Sequence, residues 1–246
     1  MKITILTFFP EIFNTYFDCS APIKKAKGLG TIDIRVLQIR DFTKDKHRRC
    51  DDTPYGGGPG LVLQCQPIVD GLRSIKEEGR ILFTSPTGRK FNHELAIELS
   101  REKHLIIVAG RYEGYDNRIF SLFKHEKISI GDYVITGGEP AGLIILDAVV
   151  RHIAGVLDNP DSLNEESFTE GFLEYDHYTK PRNYEGLEVP ETLISGNHKE
   201  IFLLHKKQSL INTYENRPDL IKKKSLSEND LSILKEYIKE KYRYEH

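Results

Sequence analysis

The stretch HLIIVAG (residues 104–110) decides the fold class. Residues 105–109 are apolar without alternation, which is typical of a strand buried on both faces of a mainly parallel sheet. Similar apolar or β-branched runs occur at Ile3–Phe9, Ile32–Ile39, Arg80–Thr84 and Tyr133–Ile135. Since helical periodicity separates several of these runs, the sequence predicts an α/β fold with a mainly parallel sheet, and residues 104–109 near its centre.

Helical periodicity predicts five helices in the same part of the chain, over residues 11–17, 67–76, 92–101, 117–124 and 139–152. Asp116 precedes the fourth of them in the manner of an N-cap. Near the C-terminus, Ser227 and Asp230 stand at capping-box spacing, which predicts the start of a last helix.

Charge divides the chain into three parts, although the net charge is only −2. Residues 158–191 hold ten acidic and two basic side chains, whereas residues 197–246 hold eleven basic and eight acidic ones. We expect a sheet domain over 1–157, an interdomain linker or lid over 158–196, and a small α-helical domain over 197–246.

Composition excludes several classes of protein. With 39% hydrophobic and 29% charged residues the chain should fold, and no apolar run approaches the roughly 18 residues that cross a bilayer. The N-terminus lacks the features of a signal peptide, so we expect a cytoplasmic protein without a membrane partner. Three cysteines without Cys-x-x-Cys spacing indicate reduced thiols rather than a zinc site.

Glycines follow three of the predicted strands. They occur in TSPTG (84–88), GRYEG (110–114) and the pair Gly137-Gly138. Neither a P-loop nor a Gly-x-Gly-x-x-Gly motif is present, which argues against an ordinary Rossmann cofactor site. Ligands bind at the carboxyl ends of the strands in open α/β sheets, so these glycines could build one pocket from backbone groups. The alternative is that each glycine only allows a tight turn.

A basic run precedes a glycine-rich loop. The run is RDFTKDKHRRC (40–50), and the loop is YGGGPG (55–60). A solvated loop surface explains such a run without a ligand, and contact with phosphates is the alternative.

Several ordered segments carry a resemblance to a known family, the bacterial tRNA (guanine-N1)-methyltransferases (TrmD) of the SPOUT class. The matching segments are FPE (9–11), RDFT (40–43), DDTPYGGGPG (51–60), SP (85–86), GRYEG (110–114), SIGDYV (129–134), GGE (137–139), HYT (177–179) and SGNH (195–198). No single segment is specific for the family, but the ordered set of segments from residue 9 to about residue 218 is specific for it.

The resemblance implies a homodimer with a deep C-terminal trefoil knot, in which S-adenosylmethionine is bound. It also implies Mg²⁺, for which Glu113 is the candidate residue, although the ion's ligands are unknown. The cofactor-binding positions it implies are Ser85, Pro86, Gly110, Tyr112, Glu113, Ile130, Gly131, Tyr133, Ile135, Gly137 and Gly138.

The implied reaction methylates N1 of the guanosine just 3′ of a tRNA anticodon. N1 carries a proton at neutral pH, so a base must remove it before N1 can attack the methyl group. Family position assigns this role to Glu166, where the family usually has aspartate. Glu165 is the neighbouring carboxylate. Arg151 matches the arginine that would stabilise charge developing on O6. Its alternative role is to offset the helix dipole.

The resemblance also implies that tRNA is the partner and that the acidic lid brings Glu166 to the other subunit's cofactor. Candidate RNA-binding residues are Lys44, Lys46, His47, Arg48, Arg49, His177, Lys199, Lys206 and Lys207. Two alternative functions stay open: a knotted methyltransferase acting on a ribose 2′-hydroxyl, and a non-catalytic RNA-binding relative.

Overall fold

A computed structural model describes residues 1–157, 163 and 166–243 of the chain. The chain divides into two compact units, Met1–Asp158 and Asn159–His246. Residues 159–196 of the predicted lid and the residues of the predicted helical domain therefore fall into the same unit. Within the part of the chain that the structure describes, no helix combines the length and apolarity that crossing a membrane requires.

The first unit is built on a five-stranded sheet of parallel strands in the order β2-β1-β6-β5-β7. The strands are β1 (Lys2–Thr7), β2 (Asp33–Gln38), β5 (Arg80–Lys90), β6 (His104–Val108) and β7 (His125–Ser129). A separate two-stranded ladder joins β3 (Asp51–Asp52) to β4 (Val62–Leu63). The α/β class and the central place of residues 104–108 are confirmed.

Helices cover both faces of this sheet. They are α1 (Pro10–Cys19), α2 (Ala21–Gly28), α3 (Cys65–Arg73), α4 (His93–Ser100), α5 (Ile119–Leu122) and α6 (Glu139–Val150), with a 3₁₀ turn at Ile39–Asp41. Leu105 and Ile107 of β6 belong to one buried apolar cluster, and Ile106 and Val108 belong to another. Because both faces are buried, residues 105–108 offer no exposed position for a polar side chain, which explains the unbroken apolar run that follows His104.

The prediction of a strand at Tyr133–Ile135 is wrong. The fifth strand is β7, whose sequence HEKIS gives little β signal because it lies at the edge of the sheet, where its first three residues stay partly exposed. Residues 133–135 form part of the following loop, and Val134 is 84% exposed. An apolar run alone therefore did not distinguish a strand from an exposed loop.

The helix predicted at 117–124 is shorter than expected, and Asp116 is not its N-cap. Helix α5 starts at Ile119 with Arg118 at the N-cap. The Asp116 carboxylate instead accepts hydrogen bonds from the backbone N–H and the guanidinium of Arg118. Asp116 thus stabilises the turn that precedes the helix.

The second unit is mainly helical. Its elements are the hairpin strands β8 (Asn183–Tyr184) and β9 (Leu187–Glu188), and helices α7 (Glu191–Ile194), α8 (His198–Asn216), α9 (Pro218–Lys223) and α10 (Glu228–Arg243). The capping box is confirmed: the backbone N–H of Asp230 donates to Ser227 Oγ, and that of Ser227 donates to the Asp230 carboxylate, both at 3.2 Å.

Candidate active site

A cavity of about 380 Å³ opens beside β5 and the carboxyl ends of β6 and β7. Three segments enclose it: residues 84–87, in the irregular stretch of β5 where its pairing with β7 shifts register, and the loops that follow β6 and β7, at residues 110–115 and 130–138. The sequence placed the end of this strand at Thr84, but the strand continues to Lys90. All eleven positions expected to bind the cofactor line this one cavity: Ser85, Pro86, Gly110, Tyr112, Glu113, Ile130, Gly131, Tyr133, Ile135, Gly137 and Gly138. The structure thus brings together residues that lie up to 53 positions apart in the sequence.

The glycines let the loops approach each other. The backbone N–H of Gly138 donates to the carbonyl oxygen of Gly110 over 2.6 Å. A Cβ on Gly138 would lie 2.9 Å from the Gly110 nitrogen and 3.0 Å from its oxygen, and closer still to Thr84 Oγ1. Its φ is −78°, so the close approach, rather than a turn conformation, requires glycine here.

An ion pair, which sequence reasoning missed, joins Arg111 of the cavity wall to the buried carboxylate of Glu139 at the start of α6. Glu139, the first residue of α6, is 0% exposed, and its carboxylate lies 3.2 Å from Arg111 Nε. Thr7 Oγ1 donates to the same carboxylate over 3.1 Å, and the Arg111 guanidinium lies 4.1 Å from the centre of the Phe9 ring. The α6 dipole also favours an anion at this end of the helix. Both residues stand in glycine-flanked motifs, but their pairing across 28 positions left no sequence signal.

Tyr115 forms part of the cavity wall. Its hydroxyl donates to the carbonyl oxygen of Val108 over 2.8 Å, and its ring packs edge-on against Phe83 at 5.0 Å. Burial raises the pKa of the Tyr115 hydroxyl above its usual range. Tyr115 therefore stays neutral and acts as a hydrogen-bonded part of the wall.

Glu113 is the only carboxylate among the described residues that line the cavity. Its backbone N–H donates to Leu61 O over 3.0 Å, and a Cβ on Gly60 would lie 2.5 Å from its Oε1, so it packs against the glycine-rich loop. Over residues 1–157, 163 and 166–243, no group of three His, Cys, Asp or Glu side chains could hold a metal ion. An all-protein Mg²⁺ site does not fit these residues.

Arg151 does not line this cavity. It is the C-cap of α6, where its backbone N–H donates to Asp147 O over 3.3 Å. The helix has 12 residues, so its two ends are about 18 Å apart. The neighbouring His152 packs edge-on against His93, with 5.1 Å between ring centres, and burial lowers the pKa of His152. Within one unit, Arg151 thus belongs to the end of α6 that faces away from the glycine loops.

Glu166 lies in the second unit, and Glu165 lies outside the described residues. Glu166 is half-buried and lines another cavity, of about 330 Å³. Its other walls include Phe172, Tyr175, Phe202 and His205. The Tyr175 and His205 rings stack, with 3.5 Å between their centres and an interplanar angle of 8°.

Most candidate RNA-binding residues are exposed, and several are paired with a carboxylate. Lys44, Lys46, His47, Arg48, Arg49, His177 and Lys199 are exposed, whereas Lys206 and Lys207 are partly buried. The ion pairs are Lys44–Asp70, Arg48–Asp41, Arg49–Asp45 and Lys206–Asp230. His177 Nε2 lies 3.6 Å from a carboxylate oxygen of Glu174. The basic run is therefore a surface whose positive charge is partly neutralised within the chain.

Comparison with known proteins places this site in a family. A sequence model described as tRNA (Guanine-1)-methyltransferase TrmD matches residues 1–223. A tRNA (guanine-N(1)-)-methyltransferase of Dictyoglomus turgidum is 51% identical over 98% of both chains. Enzymes of the same name from Carboxydothermus hydrogenoformans (51%; 95% of this chain, 92% of the relative) and Clostridium perfringens (46%; 96% and 99%) are similar over almost their whole length. With its glycine-walled cavity formed by the residues that the motifs indicated, this chain belongs to the TrmD family of tRNA (guanine-1)-methyltransferases.

Proposed function

We propose that this protein transfers the methyl group of S-adenosylmethionine to N1 of the guanosine immediately 3′ of the anticodon in tRNA. Its relatives carry the name of a tRNA (guanine-N(1)-)-methyltransferase. The observation that carries the proposal is the convergence of all eleven expected cofactor positions on one cavity. We further propose that the reaction takes place in the cytoplasm.

The chemistry of the cavity suits S-adenosylmethionine, which supplies an electrophilic methyl group when bound. Gly110, Gly131 and Gly137 bring backbone to the cavity wall without a side chain in between, so a cofactor can approach closely, and Pro86 and Ile135 offer apolar contact. The Glu113 carboxylate is suited to attract the positive charge of the methionine part. Family resemblance alone suggests Mg²⁺; Glu113 would contribute at most one ligand, with water or substrate supplying the others.

We assign the proton transfer to Glu166 and the stabilisation of charge on O6 to Arg151. Guanine N1 attacks the methyl group only when its proton has left, and a positioned base typically contributes about 10²- to 10⁴-fold in rate. A guanidinium stabilises negative charge as it develops on O6. Glutamate reaches one methylene further than aspartate, so the backbone at Glu166 must lie further from the guanine for its carboxylate to reach N1.

We propose a homodimer in which each site combines residues of two subunits, with the cofactor loops in a trefoil knot. Two features of the first unit favour this arrangement. Arg151 is outside the cavity of its own unit, so a second subunit would have to deliver it. Tyr133, Val134 and Ile135 expose apolar surface beside the cavity, as an interface would.

The test uses labelled S-adenosylmethionine and two tRNA transcripts that carry G or A immediately after the anticodon. The proposal predicts transfer to the G transcript only. Equal transfer to the A transcript would indicate a ribose 2′-hydroxyl target, and cofactor binding without transfer would indicate a non-catalytic RNA-binding protein; both results reject the proposal.

Replacement of the base gives a second test. Glu166→Gln should lower the single-turnover rate by about 10²-fold or more while the Kd of S-adenosylmethionine stays unchanged. Glu185→Gln, which removes an exposed carboxylate from the β8–β9 turn, is the matched control and should transfer normally. An unchanged rate for Glu166→Gln would assign the base to another residue.

A further inference from the structure

The loop that carries Glu166 is a compact, internally bonded body. The backbone N–H of Thr169 donates to Glu166 O over 3.2 Å, and that of Gly171 donates to Phe168 O over 3.0 Å. The backbone N–H of Phe168, whose φ is +77°, donates to the carbonyl oxygen of Phe172 over 2.7 Å. These bonds fix Glu166 relative to residues 168–172. The position of the Glu166 carboxylate therefore depends on what anchors this loop.

Three polar side chains of α8 hold the end of the loop. Thr213 Oγ1 accepts a hydrogen bond from the Leu173 N–H over 2.9 Å, and Ser209 Oγ donates to the Leu173 carbonyl oxygen over 2.5 Å. One turn on, Asn212 Nδ2 donates to the carbonyl oxygen of Glu174 over 3.1 Å. Positions 209, 212 and 213 share one face of the helix. This face thus satisfies the backbone of residues 173–174, much as a neighbouring strand would.

The other contacts of the loop also lead to the C-terminal helices. Lys224 Nζ donates to the carbonyl oxygen of Glu170 and lies 4.3 Å from the centre of the Phe172 ring. The Arg217 guanidinium lies 5.8 Å from the centre of the Phe168 ring. Helix α8 and the residues after it therefore hold the loop at its tip as well as at its end.

We infer that Ser209, Asn212 and Thr213 are positioning residues for the base, so that α8 sets the place of Glu166. The inference rests on the proposed role of Glu166 in proton removal. Helix α8 also carries Lys199, Lys206 and Lys207, the candidate RNA-binding residues. The same helix thus links tRNA binding to placement of the carboxylate. When bound tRNA determines the position of α8, it also determines the position of Glu166.

Thr213 gives the sharpest test because it is 0% exposed and its hydroxyl makes two bonds, to Leu173 N and to Ser209 O. Thr213→Val keeps the shape and removes both bonds. We expect the single-turnover rate to fall about tenfold or more, because displacement of a reacting group by an ångström can cost ~10²-fold. The Kd of S-adenosylmethionine should not change. Thr213→Ser, which keeps the hydroxyl, should restore most of the rate.

A pair of asparagine variants tests the same idea without a buried substitution. Asn212→Ala removes the hydrogen bond to the carbonyl oxygen of Glu174. Asn216→Ala is the matched control: among the contacts described, the Asn216 side-chain amide donates only to the carbonyl oxygen of Asn212, within the same helix. Asn212→Ala should slow transfer severalfold, and Asn216→Ala should not. If both variants transfer at the native rate, α8 does not position the base, even if Thr213→Val fails to fold.

Combination with Glu166→Gln separates this inference from the proposed function. If Thr213 acts through Glu166, Thr213→Val should slow transfer no further in the Glu166→Gln background. A further tenfold loss there would show that Thr213 acts elsewhere and would overturn the inference. If Glu166→Gln itself transfers at the native rate, the assignment of the base fails and the inference fails with it. If Glu166→Gln is slow but Thr213→Val and Asn212→Ala are normal, only the inference fails.

Discussion

Replacement of Gly138 by alanine tests the cofactor cavity at the point where its walls meet. The φ of −78° suits alanine, so any effect must come from the added methyl group. That methyl would overlap most strongly with Thr84 Oγ1, which must move away, and it would lie 2.9 Å from the Gly110 nitrogen. Ordinary contacts begin at 3.4 Å, so the two loops must also separate by about 0.5 Å. The 2.6 Å hydrogen bond from Gly138 to Gly110 must lengthen with them.

The expected cost follows from this overlap. Adding a methyl group to a well-packed site typically costs about 1–3 kcal/mol. If the cofactor loops bear this cost, the Kd of S-adenosylhomocysteine rises about 5- to 150-fold, since 1.4 kcal/mol corresponds to tenfold. Titration calorimetry on the purified protein measures the change directly.

Gly28→Ala is the matched control. Gly28 ends α2, has no atom within 4 Å of its expected Cβ, and has no left-handed φ. It should bind the cofactor normally and gain up to about 1 kcal/mol of stability, because alanine favours helix over glycine. If Gly138→Ala is folded and binds S-adenosylhomocysteine with the native Kd, the glycine loops do not form the cofactor site as we describe.

Three further predictions concern other parts of the chain. Glu139→Gln leaves the charge of Arg111 without its buried partner and should lower the free energy of unfolding by about 3 kcal/mol in urea denaturation, because breaking a buried pair costs ~3–5 kcal/mol and Arg111 keeps some access to water; an unchanged urea midpoint would contradict this. Arg151→Ala should slow single-turnover transfer by about 10²-fold without weakening cofactor binding, and a raised cofactor Kd would place Arg151 in the cofactor pocket instead. Lys46→Ala should weaken tRNA binding and reduce the slope of log K against log salt by about one, if Lys46 contacts a phosphate; an identical slope would remove it from the RNA surface.

The sequence predicted the parts of the fold that depend on local pattern. The continuous run in β6 identified a central strand because its two faces are buried in two different clusters. The edge strand β7 was missed because HEKIS pairs on one side only and keeps polar side chains. Residues 133–135 were predicted as a strand instead, because a short apolar run in a loop beside a binding cavity has the same sequence pattern as a short strand.

The candidate site was predictable where glycine and motif order mark it, and not where long-range pairing builds it. The glycine-containing segments at 84–88, 110–114 and 137–138 indicated a single pocket, and residues of all three line it, although the first lies within β5 rather than at its end. The pairing of Arg111 with Glu139 and the support of the Glu166 loop by α8 join residues 28 to 40 positions apart. Such contacts depend on tertiary packing, so a single sequence contains no periodicity that reveals them.

The central claim is that this chain methylates guanine at N1 in tRNA, and the product nucleoside tests it most directly. The native protein is incubated with S-adenosylmethionine and unmodified tRNA, the tRNA is digested, and the nucleosides are separated and identified by mass spectrometry against standards. Our account predicts 1-methylguanosine as the product, absent when the guanosine after the anticodon is replaced. A methyl group on ribose or at another position of guanine would contradict it.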